Sequence, residues 1–245
     1  MGTDRARKLI AAADRIVVLS GAGISTDSGI PDFRGPDGLW TKNPDAQRMS
    51  NLREYQRDPA LRAQTWQARL VHPAWTAEPN AAHLALTRLE HAGRLAAIVT
   101  QNIDRLHQRA GSRRVIELHG TIFDTVCLSC ADVRPMREAL DRVAAGDADP
   151  PCPRCGGILK SATVSFGQAL DRAVLDEARA VVESAELLMA VGSSLTVQPA
   201  AGLVGLAAQA GAAVVVCNAS ATPYDGVAEV VVRGPLSSVL PDLLG

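Results

Sequence analysis

Residues 16–25 read Ile16-Val17-Val18-Leu19-Ser20-Gly21-Ala22-Gly23-Ile24-Ser25, an uncharged aliphatic run delivered into a glycine turn. Such a run suits a strand buried on both faces, as in a parallel sheet covered by helices. The pattern recurs downstream. Leu95–Val99 runs into Thr100-Gln101-Asn102-Ile103-Asp104, and Val115–Leu118 into His119-Gly120. Leu187–Val191 runs into Gly192-Ser193-Ser194, and Ala213–Cys217 into Asn218-Ala219-Ser220. A last strand is expected at Glu229–Val232. Helical segments lie before and between them, at 4–15, 81–92 (closing at Gly93), 171–185 and 199–210. Strands alternating with helices predict an α/β fold: a Rossmann-like parallel sheet with helices on both faces. Five strands hand a small or polar cluster to their carboxyl ends, and in an open parallel sheet those ends line the ligand crevice.

The rest of the chain bounds the reading. At 245 residues and 47% hydrophobic, it can bury a sizeable core as one domain, or as one domain with a small module. The formal charge is −1 with no single-sign run, so nucleic acid is not expected as a specific partner. No apolar run approaches the ~20 residues of a membrane helix. The N-terminus lacks the apolar core of a secretory signal, and Ala6 stands where a myristoylation signal needs Ser or Thr. A soluble, cytoplasmic monomer is expected.

Gly21-x-Gly23 after a strand suits a phosphate-cradling turn, the glycines letting backbone N–H groups approach a pyrophosphate. Ordinary tight turns share this pattern, and the third glycine of the dinucleotide fingerprint is replaced by Thr26. Cys127-x-x-Cys130 and Cys152-x-x-Cys155, with 21 residues between the pairs, have zinc-ribbon spacing. Four thiolates close a tetrahedral shell with no position left for water, so one structural zinc is expected. Reduced thiols or a redox pair would be the alternative. Cys217 ends an apolar strand and reads as a core residue. His119 follows a strand end, where an imidazole can serve as a general base near neutral pH. His72, His83 and His91 read as surface or helix-packing residues, and His107 adjoins the 101–104 cluster.

Taken together, GAGISTDSGIPDFRG (21–35), TQNIDRLHQRAG (100–111), LHG (118–120), the two cysteine pairs, FG (166–167), GSS (192–194) and CNAS (217–220) resemble the sirtuin family, and within it bacterial CobB-type protein deacylases. The resemblance implies a Rossmann-like NAD-binding domain from 1–33, 81–120 and 161–245. A helical excursion at 34–80 and a zinc-binding module at 121–160 are inserted in it. It also implies a reaction. The carbonyl oxygen of an acylated lysine in a protein substrate attacks C1′ of the nicotinamide ribose and expels nicotinamide. His119 takes a proton from the ribose hydroxyls, the 2′-oxygen attacks the imidate carbon, water completes the cleavage, and the products are free lysine and O-acyl-ADP-ribose. By the same resemblance Gly21, Ala22, Gly23, Asp32, Phe33 and Arg34 border the cofactor. Gln101 and Asn102 hold the nicotinamide ribose, with Asn102 catalytic beside His119, and Ile103 and Asp104 hold the carboxamide. Gly192, Ser193, Ser194, Asn218, Ala219 and Ser220 take the phosphate and adenosine end. Val164, Ser165, Phe166 and Gly167, and Val197 within 196–198, flank the substrate backbone as strands. Cys127, Cys130, Cys152 and Cys155 hold the zinc.

Three departures from the family pattern fall on the peptide side: Gln168 where many relatives have Glu, Lys160-Ser161 where many have Arg-Pro, and Trp66-Gln67-Ala68-Arg69 where succinyl-removing members have Tyr-x-x-Arg. Trp66 and Arg69 are therefore expected at the acyl pocket, with acetyl-lysine preferred to succinyl-lysine; alternatively, Arg69 is a solvent-facing helix charge. Two other functions compete with deacylation. An ADP-ribosyltransferase or NAD glycohydrolase would use the same cofactor site. A non-catalytic zinc-ribbon module would need a basic or aromatic face, where the chain instead carries Asp141, Asp147 and Asp149.

Overall fold

The computed structural model describes residues 2–33, 35, 38–42 and 45–245. The strands in chain order are β1 (Ile16–Ser20), β2 (Leu95–Thr100), β3 (Val115–Glu117), β4 (Gly120–Cys127), β5 (Val133–Pro135), β6 (Leu159–Thr163), β7 (Leu187–Val191), β8 (Ala213–Cys217) and β9 (Val230–Val232). The chain divides into two compact units. The first comprises Met1–Asp32, Ala77–Leu118 and Asp171–Gly245, and the second Phe33–Thr76 and His119–Leu170.

The first unit is built on a six-stranded parallel sheet of order β3-β2-β1-β7-β8-β9. Chain order reverses at β1, which pairs on one side with β2 and on the other with β7. Every residue of β1 and β7 is buried, which is why both read as unbroken apolar runs and not as alternation. Ile10, Leu86 and Leu240, from the helices Gly2–Ala12, Ala81–His91 and Leu236–Leu244, pack with Ile16, Val18 and Met189 in one core cluster. Each such aliphatic side chain contributes about 1.5–3 kcal/mol on full burial. The helices Arg172–Glu183 and Gly202–Gln209 pack on the sheet as well. At the reversal the loops leaving β1 and β7 start side by side from the same edge, the position where open α/β sheets bind ligands.

The second unit joins the short helices Leu39–Lys42, Asp45–Met49, Leu52–Arg57 and Pro59–Leu70 to an antiparallel sheet of order β5-β4-β6. Asp58 caps the longest of these helices, accepting from the amides of Ala60 and Leu61, with Pro59 in its first turn. Met136, Ala139, Leu140 and Val143 follow helical spacing and bury one face of Met136–Ala144 against Trp66 and Leu159. The Tyr55 hydroxyl donates to the Leu159 carbonyl at 2.7 Å. Arg62 pairs with Asp149 at 2.8 Å and also donates to the Tyr55 and Gln56 carbonyls. These bonds tie the helical segment to the cysteine-bearing segment. Among the described residues no helix is long and apolar enough to cross a membrane.

Candidate active site and metal centre

The glycine turn after β1 closes on the turn after β7. Gly21 N–H donates to the Val191 carbonyl at 2.9 Å and Gly23 N–H to the Gly192 carbonyl at 2.8 Å. A Cβ on Gly21 or on Gly23 would lie 2.8 Å from the Gly192 oxygen. These glycines are therefore required by loop-on-loop contact at the sheet edge. The amides of Gly21 and Gly23 are themselves spent inside the protein.

The loop after β2 is held from both sides. Gln101 Nε2 donates to Ser193 Oγ at 2.9 Å, linking it to the loop after β7. Ser25 Oγ donates to Asp104 Oδ2 at 2.7 Å and accepts from Asn102 Nδ2 at 3.2 Å. Asp104 Oδ1 accepts the Leu106 amide at 2.9 Å. Burial raises the Asp104 pKa above its ordinary value, while these hydrogen bonds and Arg109 oppose the rise. Asn102 and Asp104 are buried, Gln101 and Ile103 half-buried. Asn80 adds an anchor, donating to the Ile24 carbonyl at 2.8 Å and to Ser28 Oγ at 3.0 Å. Ser194 Oγ lies 3.0 Å from Thr196 Oγ1. Asn218 closes the turn after β8 through Nδ2, which donates to the Ser220 carbonyl at 2.9 Å; Ala219 and Ser220 are exposed. The strand ends of this unit thus place Gly21, Gly23, Gln101, Asn102, Asp104, Gly192, Ser193 and Asn218 along one edge, with Ala22 in the short turn after Gly21 and half-buried Asp32 further along that loop.

His119 follows β3 by two residues and is half-buried; its carbonyl accepts from Val164 N–H at 2.9 Å. Phe33 stacks on Trp40, ring centroids 4.9 Å apart, and Trp40 on Phe166 at 5.3 Å. Arg34, expected beside Phe33, lies outside the described residues. Of the residues expected to flank a substrate backbone, Val164 and Ser165 follow β6, Phe166 makes a single bridge to Asn51, and Gly167 and Val197 lie in a turn and a bend. Amides in the first segment are already taken, Phe166 N–H by the Ser50 carbonyl at 2.8 Å.

A cavity in the second unit is lined by Tyr55, Trp66, Arg69, Lys160 and Ser161. Arg69 is no solvent-facing charge: its Nε donates to Ser161 Oγ at 2.9 Å, and burial lowers its pKa. Lys160 Nζ donates to the carbonyls of Ser161 and Thr163. Burial, and then the Arg69 charge, bring the Lys160 ammonium down to about 8. Trp66 is 1% exposed, and its indole N–H has no hydrogen-bond partner among the described residues.

The ligand sulfurs of Cys127, Cys130, Cys152 and Cys155 all lie within 4.8 Å of one another. Cys127 Sγ is 3.5 Å from that of Cys155, and Cys130 Sγ 3.8 Å from that of Cys152. Tetrahedral zinc with Zn–S near 2.3 Å sets sulfurs about 3.8 Å apart, so this donor set fits the ion. No cysteine is in a disulfide, and Cys217 is fully buried in the core.

Sequence reasoning passed over Ser25 and Asn80. Ser25 stands inside the quoted glycine motif, and a hydroxyl two residues past a tight turn could have been singled out. His83 and His107 are 0% and 1% exposed, so neither is a surface residue.

Comparison with known proteins follows the same lines. The model of the Sir2 family matches residues 21–199. The NAD-dependent protein deacetylase 2 of Streptomyces coelicolor is 51% identical over 94% of this chain and 96% of its own length. The NAD-dependent protein deacetylase 1 of Pyrobaculum aerophilum is 43% identical over 98% of this chain and 93% of its own. A solved structure of Sir2 with a p53 peptide and NAD+ superposes with a TM-score of 0.88 at 34% identity, covering 98% of this chain and 96% of that one. Another, Sir2Tm bound to a propionylated peptide, gives 0.88 at 32%, with 98% and 96% coverage.

Proposed function

We propose a reaction from one premise, that the chain belongs to the Sir2 family: it removes acyl groups, acetyl first among them, from protein lysines and consumes NAD. The observation that carries this reading is the row of glycine, amide and hydroxyl side chains along the carboxyl edge of the parallel sheet, at the point where chain order reverses. It is the place a dinucleotide occupies in such sheets. NAD supplies the electrophilic ribose carbon and the hydroxyls that receive the acyl group. One water is consumed as the lysine amine leaves the acyl carbon, and the products are nicotinamide, free lysine and O-acyl-ADP-ribose.

The chain's own residues divide the remaining work. Gln101 and Asn102 orient the nicotinamide ribose, and Asp104 and Ile103 the carboxamide. Gly192, Ser193, Ser194 and Asn218 take the phosphate and adenosine end. His119 accepts the proton lost from a ribose hydroxyl. An amide oxygen is a poor nucleophile, so fixed orientation in a water-excluding site supplies much of the rate. Phe33 and Phe166 offer apolar surface for that exclusion, and Trp66 and Arg69 border the acyl chain. The four cysteines hold one zinc whose closed sulfur shell makes it structural. The bodies 1–33, 81–120 and 161–245 form the NAD-binding domain on this reading. We place the enzyme in the cytoplasm as a monomer, since its thiols serve a metal and a core and form no disulfide.

The test is product analysis. An acetyl-lysine peptide incubated with the protein and NAD is expected to yield deacetylated peptide and O-acetyl-ADP-ribose in equal amounts, and nothing without NAD. ADP-ribosylated protein, or free ADP-ribose with the peptide intact, would move the reading to transferase or glycohydrolase.

A further inference from the structure

Beneath the loop that carries Asn102 lies a polar chain within an otherwise apolar interior. Thr100 ends β2 and Ser20 ends β1, and the two are paired in register. Ser20 Oγ donates to Thr100 Oγ1 at 2.8 Å and lies 2.9 Å from His107 Nε2. Thr100 Oγ1 also accepts the Asn102 main-chain N–H at 3.0 Å. Ser20, Thr100 and His107 are 0%, 2% and 1% exposed. Against His107, with ring centroids 4.9 Å apart, stands His83, whose Nδ1 accepts the Asn80 amide.

Proton counting gives the chain a direction. Ser20 has one hydroxyl proton, and with it given to Thr100, His107 Nε2 must be the donor to Ser20. Thr100 Oγ1 then receives two hydrogens, from Ser20 and from Asn102 N–H, filling both lone pairs. The arrangement is costly. His83 Nε2 and His107 Nδ1 are buried with no hydrogen-bond partner among the described residues. Each unsatisfied buried polar group lowers stability, because its lost hydration is not replaced. Burial holds both imidazoles neutral, at about 3 for His107 and about 4 for His83, so no ion pair offsets the cost. Apolar side chains of similar volume would pack the site more cheaply. What they could not do is accept the Asn102 N–H.

We propose that His107, Ser20 and Thr100 are positioning residues whose hydrogen-bond chain fixes the main chain of Asn102 at the sheet edge, and that turnover depends on it through Asn102. The proposal rests on the deacylase reading for its kinetic part only. His107 orients Ser20, Ser20 orients the Thr100 hydroxyl, and Thr100 holds the amide. No member of the chain needs to touch substrate.

The experiment pairs two substitutions that separate loss of the acceptor from loss of buried packing. Thr100→Val keeps the branched shape and removes the acceptor; Thr100→Ser keeps the acceptor and removes a buried methyl. Thr100→Val is expected to melt below wild type, because the Ser20 hydroxyl and the Asn102 amide lose their acceptor, to lose at least tenfold in kcat for deacetylation with less than a threefold change in peptide KM, and to exchange its Asn102 amide hydrogen at least tenfold faster. Thr100→Ser is expected to melt lower yet keep kcat and amide protection within threefold. Ser20→Ala repeats the Val result without altering β2. Thr100→Ser activity that falls along with its melting temperature, or an Asn102 amide whose exchange is unmoved in Thr100→Val and Ser20→Ala, would overturn the proposal. A wild type without deacetylase activity would sink the deacylase reading, and amide exchange would still decide whether the chain fixes Asn102.

Discussion

Gly23 donates its amide to the Gly192 carbonyl at 2.8 Å, and neither residue leaves space for a side chain. A Cβ on Gly192 would fall 2.5 Å from the Ile24 nitrogen, at a φ of +63° that side chains other than glycine's rarely adopt. Gly23→Ala would put its Cβ 2.8 Å from that carbonyl oxygen, forcing backbone apart. Gly23→Ala is expected to destabilise by about 1–3 kcal/mol through overpacking, and Gly192→Ala by more. Both are expected to weaken NAD binding, because the loops after β1 and β7 separate. Urea melts and NAD titration calorimetry check this; an alanine at 23 that leaves both unchanged would show that the loops have slack.

Cys130→Ser is expected to lose the metal and destabilise the whole protein. The sulfur of Cys130 lies 3.8 Å from that of Cys152, and the packing of Cys127 and Cys152 with Trp66 and Met136 joins the metal centre to the core of its unit. Metal-binding free energy is here local folding energy. Elemental analysis should find one zinc per chain in wild type, and a chelator should lower its melting temperature. A metal-free protein with full activity and stability would count against a structural zinc.

His119→Ala is expected to fold and to bind NAD while deacetylation falls by ~10²–10⁴-fold, the usual worth of a general base. Circular dichroism, NAD titration and steady-state rates separate the three properties. Wild-type turnover in this variant would remove His119 from the mechanism.

The cavity lined by Trp66 and Arg69 is the acyl pocket on the proposed reading, and it bears on substrate choice. A carboxylate entering it needs charged and hydroxyl partners to offset its desolvation. Arg69 is engaged by Ser161, and Trp66 offers an indole where a phenol would give a hydroxyl. Acetyl peptide is therefore expected to exceed the matched succinyl peptide in kcat/KM, and Trp66→Tyr to narrow the gap. A wild type that prefers succinyl-lysine would mean that Arg69 suffices alone.

Lys160→Met is expected to stabilise the protein at pH 7. Burial lowers the Lys160 ammonium from 10.5 to about 8, so between those values the unfolded chain binds more protons than the folded one. Wild-type stability from this residue therefore rises with pH across that window. The advantage of methionine should be largest below pH 8 and fade towards 10.5. Urea unfolding of both proteins at pH 7 and pH 9.5 tests the sign; a pH-independent difference would assign the effect to packing.

The sheet could be read because β1, β7 and β8 are covered on both faces, which leaves a continuous aliphatic run in the sequence. The four cysteines could be read because the spacing within each pair belongs to a knuckle that is local in the chain. What could not be read depends on partners distant in sequence. The amides of Gly21 and Gly23 are spent on Val191 and Gly192, and no local pattern announces that. His107 looks like any helical histidine until Ser20 is placed 2.9 Å from it. Arg69 takes its meaning from Ser161 on β6. Val164 to Gly167 follow a strand in sequence, but the amides of Val164 and Phe166 turn to His119 and Ser50, which ends the ladder.

The central position of β1 sets a problem for synthesis on the ribosome. Ile16–Ser20 is made well before its neighbours, Leu95–Thr100 and, later still, Leu187–Val191. Pairing across such separations carries a large loop-closure cost and is slow. Until Leu95–Thr100 has been made the nascent chain therefore carries an uncharged aliphatic segment with no partner strand, the kind of surface that aggregates or is captured by chaperones. Slower translation ahead of Leu95–Thr100 would lengthen that exposure, and chaperone-depleted cells should yield less folded protein.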